Sequence, residues 1–263
     1  MRPAEEGSRT RRRGQWSYTF VSLGALFVAW TAVAASVPET LLPGPAAALR
    51  ALQHSLASGL FVRALAATLT HLVAGTILAV GVGVPVGILM GRVATVEALL
   101  KDVIAVAQTV PGLIIVTLAI IAFKMTPTGI VAVAFFFGLP NVVVTVWQAT
   151  RNVDPNLLEM ARVYGHSEVS AMQRVILPAI VPDIVTALRV TVGILWHVTL
   201  FAEFIMGQQG FGYQISLALA SFEVADIFAW GFVVVVLMVL MEYGLLRPLE
   251  RALLGWKPQR QPA

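Results

Sequence analysis

The chain has 263 residues, 58% of them hydrophobic and only 12% charged, with a formal charge of +4. An ordinary soluble domain carries about a quarter charged residues, so a chain this apolar needs lipid over part of its surface. The lack of cysteine excludes disulfides, thiolate metal sites and cysteine nucleophiles, and His54, His71, His166 and His197 lack the HxxxH or HExxH spacing of a zinc site.

Apolar stretches of about 20 residues, long enough to cross a ~30 Å hydrocarbon core as helices, occur at 18–37, 69–91, 103–123, 128–147, 184–206 and 227–246. The predicted fold is therefore an all-α membrane protein with about six transmembrane helices. Continuous apolar runs such as Leu113-Ile114-Ile115-Val116 and Val233-Val234-Val235-Val236 lack the alternation of a spanning β-barrel.

A basic tail, residues 1–17, precedes the first span. Ala32-Val33-Ala34 has the look of a cleavage site, but a 20-residue run exceeds the usual signal core of about 7–15 residues. A retained helix is expected. The following segment, 38–67, contains Pro38, Pro43, Gly44 and Pro45, then a stretch with Leu49, Leu52, Leu56, Leu60 and Val62 at roughly helical spacing. Arg50, His54 and Arg63 interrupt it, so it is expected to lie on the membrane surface or pack on the bundle.

The second span carries Gly75, Gly81, Gly83, Pro85 and Gly87, the third Pro111-Gly112 and the fourth Pro140. Spanning helices tolerate such breakers because neighbours satisfy the freed backbone groups, and small residues let helices approach. The glycines are expected to be packing surface.

Six spans place Arg2, Arg9, Arg11, Arg12, Arg13, Arg92, Lys101, Arg151, Arg162, Arg174, Arg247, Arg251, Lys257 and Arg260 on one side, against Arg50, Arg63 and Lys124 on the other. The excess marks the cytoplasmic side. Both termini, including the tail 247–263, are expected there. The positive charge then needs no nucleic-acid partner.

The loop 148–183 between spans four and five is long and rich in charge, which points to structure and a task. Asp154 can cap a helix with Pro155 at its first position, running 156–164, and Gly165 suits its end. Leu157, Leu158, Ala161 and Tyr164 would share a face. Ser167 can cap a second helix, 168–177, with Val169, Met172 and Ile176 as its stripe and Pro178 ending it. Pro182 would lead into span five.

Glu159-Met160-Ala161-Arg162-Val163-Tyr164-Gly165, followed by Ile176-Leu177-Pro178, resembles the E-A-A…G…I-x-L-P signature of bacterial ABC-importer permeases. The wider string Val153-Asp154-Pro155-Asn156-Leu157-Leu158-Glu159 is similar to the version in the nitrate/sulfonate/taurine branch. The resemblance runs from about Thr68 to Trp256 and takes in Gly83-Val84-Pro85-Val86-Gly87, Thr109-Val110-Pro111, Ala202-Glu203, Gly210-Phe211-Gly212 and Leu249-Glu250-Arg251. Met160 replaces the first signature alanine, the aromatic Tyr164 precedes the glycine, and 108–124 departs from the branch's usual wording.

The resemblance implies the MetI-like fold of type I ABC-importer permeases. It implies a second permease copy, two cytoplasmic ATPase subunits, and an external solute-binding protein delivering a small solute, such as a sulfonate or nitrate-like anion, at a prokaryotic inner membrane. ATP and magnesium would be used by the partner ATPase, and this chain would bind no cofactor. The sequence agrees in having no G-x-x-x-x-G-K-[ST] phosphate loop. The loop's helix pair would be the coupling element. Glu159 would make polar contact near the ATPase groove, Met160 and Tyr164 would belong to the docking face, Ala161 would permit close approach, Gly165 would set the inter-helix angle, and Leu177 and Pro178 would fix the return to the membrane.

Polar residues inside spans are candidates for the solute pathway because their insertion is costly. Asn141, His197 and Glu203 are the candidates; Arg189 and Glu242 are expected near the cytoplasmic boundary, where they can snorkel or pair. The competing readings are an ion-gradient transporter, a membrane enzyme and a non-transporting assembly subunit. The docking-type loop speaks against the first, and the absence of convergent acids, bases or metal ligands against the second.

Overall fold

A computed structural model describes residues 21–22, 24–165 and 167–254. Among these the elements are helical: α1 (Gly24–Ala34), α2 (Pro45–Ala57), α3 (Leu60–Arg92), α4 (Ala94–Thr109), α5 (Gly112–Phe123), α6 (Pro127–Arg151), α7 (Pro155–Val163), α8 (Glu168–Ala171), α9 (Leu177–Met206), α10 (Phe211–Ala220), α11 (Val224–Leu240) and α12 (Arg247–Leu254). Two π-helical turns, Met172–Ile176 and Met241–Leu246, join α8 to α9 and α11 to α12 without a break.

Among the described residues, four continuous segments are long and apolar enough to cross a bilayer: Leu60–Arg92, Pro127–Arg151, Met172–Met206 and Val224–Leu253. They correspond to the predicted second, fourth, fifth and sixth spans, the fifth extended at its start and the others at both ends. The predicted third span, 103–123, is not one helix: α4 and α5 meet at 98°. Pro111 has no N–H to donate and drives Val110 into extended geometry (φ −64°, ψ 123°), and Pro111 itself leaves the helix at ψ 135°. At about 1.5 Å per residue, the 12 residues of α5 are too short to span a ~30 Å core. Of the first predicted span, 18–20 and 23 lie outside the described residues; α1 is its helical remainder. The Trp30 ring stacks on Phe228 at 6.0 Å, and its Nε1 donates to the Pro43 carbonyl at 3.2 Å, which fixes α1 against α11.

The centre of the bundle is the α3–α6 contact. Residues recurring every fourth position, Gly75, Ala79, Gly83, Gly87 and Gly91, face Ala134, Gly138, Val142, Val146 and Thr150. A Cβ at Gly75 would lie 2.5 Å from that of Ala134, and one at Gly83 would lie 2.7 Å from Val142 Cγ1. The expected packing role of these glycines holds, and Gly81, with open space around it, is outside the stripe. Close approach matters here because lipid offers little hydrophobic incentive for helix association, so packing must supply it. α9 packs on α6 beside α3 through Leu195 and Ile180, both fully buried.

The 38–67 segment folds as a surface helix followed by the start of α3. Gly59, at φ +72°, separates them. Leu52 and Leu60 pack beside Phe211 and Trp230, whereas Leu49, Leu56 and Val62 stay exposed.

Candidate functional site

The predicted loop helix pair forms, with one correction. α7 occupies Pro155–Val163, and the Asn156 N–H donates to Asp154 Oδ1 at 2.9 Å, the expected cap. Gly165 sits at φ +75°, where the left-handed backbone closes the turn. Ser167 caps α8 by accepting from the Ser170 N–H at 3.3 Å. Pro178 does not end the second helix. The chain passes from α8 through the π turn into α9, with Pro178 near the first turn of α9 and Pro182 buried within it. The wide turn is the physical reason: Leu177 N–H reaches back five residues to Met172 O, so the helix is loosened just before the proline ring must fit.

The two loop helices do different things. α8 and its π turn pack inward, with Ile176 and Met172 against Val142, Val146 and Ile180, and Leu177 beside them. Among the described side chains of α7, Ala161 turns in, at 2% exposure, and the others turn out. Met160, Val163 and Tyr164, at one helical face's spacing, are 51, 85 and 76% exposed, with Leu157 one turn earlier. Of the residues expected to share a face, Ala161 is buried while Leu157 and Tyr164 point outward; Glu159 is exposed too, and the Leu158 side chain lies outside the described residues. The Glu97–Arg151 ion pair, at 2.7 Å, fastens the end of α6 above α7 to α4.

The pathway candidates separate. Asn141, near the middle of α6, donates from Nδ2 to its own helix at the Phe137 carbonyl, 2.9 Å away. It lines a pocket of about 230 Å³ with Gln108, Phe137 and Pro140, beneath the α4–α5 bend. Gln108 was not singled out from the sequence; it becomes legible only once the bend places it opposite Asn141. His197 is exposed elsewhere on α9, with Nδ1 3.1 Å from the Gly193 carbonyl.

Glu203 stands apart from this set. It is fully buried at the far end of α9. Its Oε2 accepts from Thr68 Oγ1 at 2.8 Å and the Gly212 N–H at 3.1 Å, and its Oε1 lies 2.8 Å from His71 Nδ1. The Phe211 N–H donates in turn to Thr68 Oγ1 at 2.9 Å. The carboxylate thus ties α3, α9 and the start of α10 together and presents no open face to a solute. The G-x-G at 210–212 gains its meaning here. A Cβ at Gly212 would lie 2.1 Å from the Leu200 carbonyl oxygen, so only glycine lets the α10 backbone close on Glu203. Thr68 and His71 were missed as partners; their sequence signal is a polar pair three residues apart at the start of an apolar run.

At the same end, Asp226, hydrogen-bonded to Glu223 and repelling its charge, holds the Glu223 carboxyl above the ordinary carboxylate range.

The described residues thus form a polytopic helical bundle with a structured loop pair at one end. The model of the family described as "binding-protein-dependent transport system inner membrane component" matches residues 83–243, and the chain belongs to that family. Within that family it is an ABC-importer permease. It is 30% identical over 217 residues to an ABC transporter permease protein of Brucella abortus (strain 2308), covering 82% of this chain and 86% of the relative. It is 29% identical over 248 residues to the taurine transport system permease protein TauC of Escherichia coli (strain K12), covering 91% and 90% of the two chains. A chain of the MetNI methionine ABC transporter in inward facing conformations superposes with a TM-score of 0.64 at 19% identity, covering 74% of this chain and 96% of that one, which shows a shared fold.

Proposed function

We propose that this permease moves a small anion, a sulfonate or nitrate-like compound, handed to it by an external binding protein, and that α7 with the 154–178 segment couples it to the ATPase. The similarity to a taurine permease supports the solute class. Two copies of the chain form the pathway, two ATPase subunits with ATP and magnesium sit under them, and both termini lie in the cytoplasm with the loop pair. The concentration of lysine and arginine at the loop end supports that orientation.

The observation that carries the coupling assignment is the outward stripe of α7. A nine-residue helix is too short to persist alone in water. Here it is held by a cap, a left-handed glycine and one inward alanine, and it keeps Met160, Val163 and Tyr164 exposed beyond the membrane-spanning helices. An amphipathic helix presented this way suits an apolar groove on a partner. A flexible methionine at its centre adapts to such a groove.

The double substitution Met160→Glu/Tyr164→Glu tests this directly. Both positions are solvent-facing, so the permease is expected to accumulate at the wild-type level while the ATPase subunits no longer co-purify with it in detergent. Retention of the ATPase by that variant would contradict the assignment.

A further inference from the structure

Arg189 is the one lysine or arginine well inside the predicted spans, and the structure shows what holds it. Its Nη1 donates to Glu250 Oε2 at 2.6 Å and its Nη2 to Glu242 Oε1. Arg247 Nε donates to the same Glu242 oxygen at 3.0 Å, and its guanidinium lies 4.1 Å over the Tyr243 ring. Two positive and two negative groups form one closed cluster. The Arg189, Glu242 and Glu250 side chains keep only 29, 21 and 24% of their exposure, so solvent screens the cluster incompletely.

The backbone is shaped for this cluster. Residues five apart on an α-helix point about 140° away from each other, at 3.6 residues per turn. Glu242 and Arg247 are five apart. The π turn Met241–Leu246 lies between them, and its wider i→i+5 turn brings the two side chains together. The following α12 then carries Glu250 onto the opposite nitrogen of Arg189. Leu195, Trp196, Met238 and Met241 pack α9 against α11 by apolar contact on the far-end side of the cluster. At the loop end the link becomes ionic.

α9 is also continuous with the loop pair. It runs 30 residues, about 45 Å, from the π turn to Met206, and Arg189 stands about 18 Å along it. A displacement of the loop pair therefore reaches Arg189 through an unbroken rod.

We propose that Arg189, Glu242 and Glu250 form a strap that binds the C-terminal segment, residues 241–254, to α9, so that the two move as one body when the ATPase drives the loop pair. Arg189 is a positioning residue: it acts through helices and touches no solute. The proposal rests on the coupling reading of 154–178 and adds the C-terminal helix to the moving unit.

The test uses paired spin labels at Asp183→Cys on α9 and Arg251→Cys on α12, in a chain that has no native cysteine. Both sites are exposed. The labelled permease is assembled with its ATPase subunits in lipid vesicles, and the distance is read without nucleotide and with ATP trapped. The wild-type background is expected to give one unshifted distance in both states. Arg189→Gln is expected to broaden the distribution and make it shift with ATP, while the ATPase subunits stay bound. Arg189→Lys, which keeps the charge but lacks the planar fork that meets Glu242 and Glu250 from two nitrogens, is expected to fall between. Should Arg189→Gln not accumulate, Glu250→Gln on α12 carries the same readout. A 183–251 distance that shifts with ATP in the wild-type background, or one that stays fixed in every variant, overturns the strap. If the wild-type permease does not bind the ATPase at all, the coupling reading has failed and the strap falls with it, an outcome visible before any variant is made.

Discussion

An alanine at Gly210 is expected to prevent the permease from accumulating in the membrane. Gly210 holds φ +104°, a conformation L-residues rarely adopt, and its added Cβ would lie 2.2 to 2.3 Å from the carboxylate atoms of Glu203. That carboxylate cannot retreat. Thr68, His71 and the Gly212 N–H hold it from three directions, inside a region with no exposure. Displacing it leaves buried donors unsatisfied, at about 1–3 kcal/mol for each. Typical total stabilities are about 5–15 kcal/mol. Glu203→Ala is expected to fail similarly, because it strands the same donors. Glu203→Gln is expected to be milder, because one amide oxygen still accepts from Thr68 and Gly212. Membrane-fraction immunoblots, with size-exclusion profiles in detergent, rank the three. Normal accumulation of Gly210→Ala would show that the far end of the bundle tolerates an open carboxylate.

Gly165→Val is expected to have the opposite signature: normal insertion and lost coupling. No atom lies within 4 Å of a Cβ at Gly165, so the penalty is conformational and not steric. At φ +75° an L-residue pays about 1–2 kcal/mol, and a β-branched one is a true outlier. The turn would relax by re-aiming α7, whose described restraints are its cap and the inward Ala161. The stripe of Met160, Val163 and Tyr164 would then miss its groove. Gly165→Asn, which tolerates the left-handed region, is expected to retain most coupling. The discriminating measurement is ATPase stimulation by the loaded binding protein in vesicles. It should be lost in the valine variant and largely kept in the asparagine variant, at equal permease content.

Much of this was legible along the chain because it is local. Asp154, Pro155, Gly165 and Ser167 act on backbone groups within a few residues, and the structure places each where its chemistry suggested. The glycines of α3 were readable as packing from their small size, whereas the period of four that sets Gly81 aside and brings in Gly91 came from the structure. Other features depend on partners remote in the chain. His71 and Glu203 are 132 residues apart, so nothing in either neighbourhood announces their pairing. Apolar length also hid the break at Val110-Pro111, since 103–107 and 112–123 are both apolar enough to read as one run. A proline reads as a stop at Pro178 and as a tolerated kink at Pro140, and only the preceding π turn tells that the first is also passed through. Among the described residues there are four continuous spans, or five if the bent α4–α5 pair makes one crossing, somewhat below the expected six but consistent with it.

The outward face of α7 offers the most direct test of the whole account. A cysteine in place of Val163, 85% exposed and the only thiol in the chain, can carry a photoactivatable crosslinker in intact membranes. The account predicts a covalent adduct with the ATPase subunit whose yield changes with ATP, and protection from a membrane-impermeant thiol reagent added outside the cell. Labelling of that cysteine from outside, with no adduct to the ATPase, would contradict it.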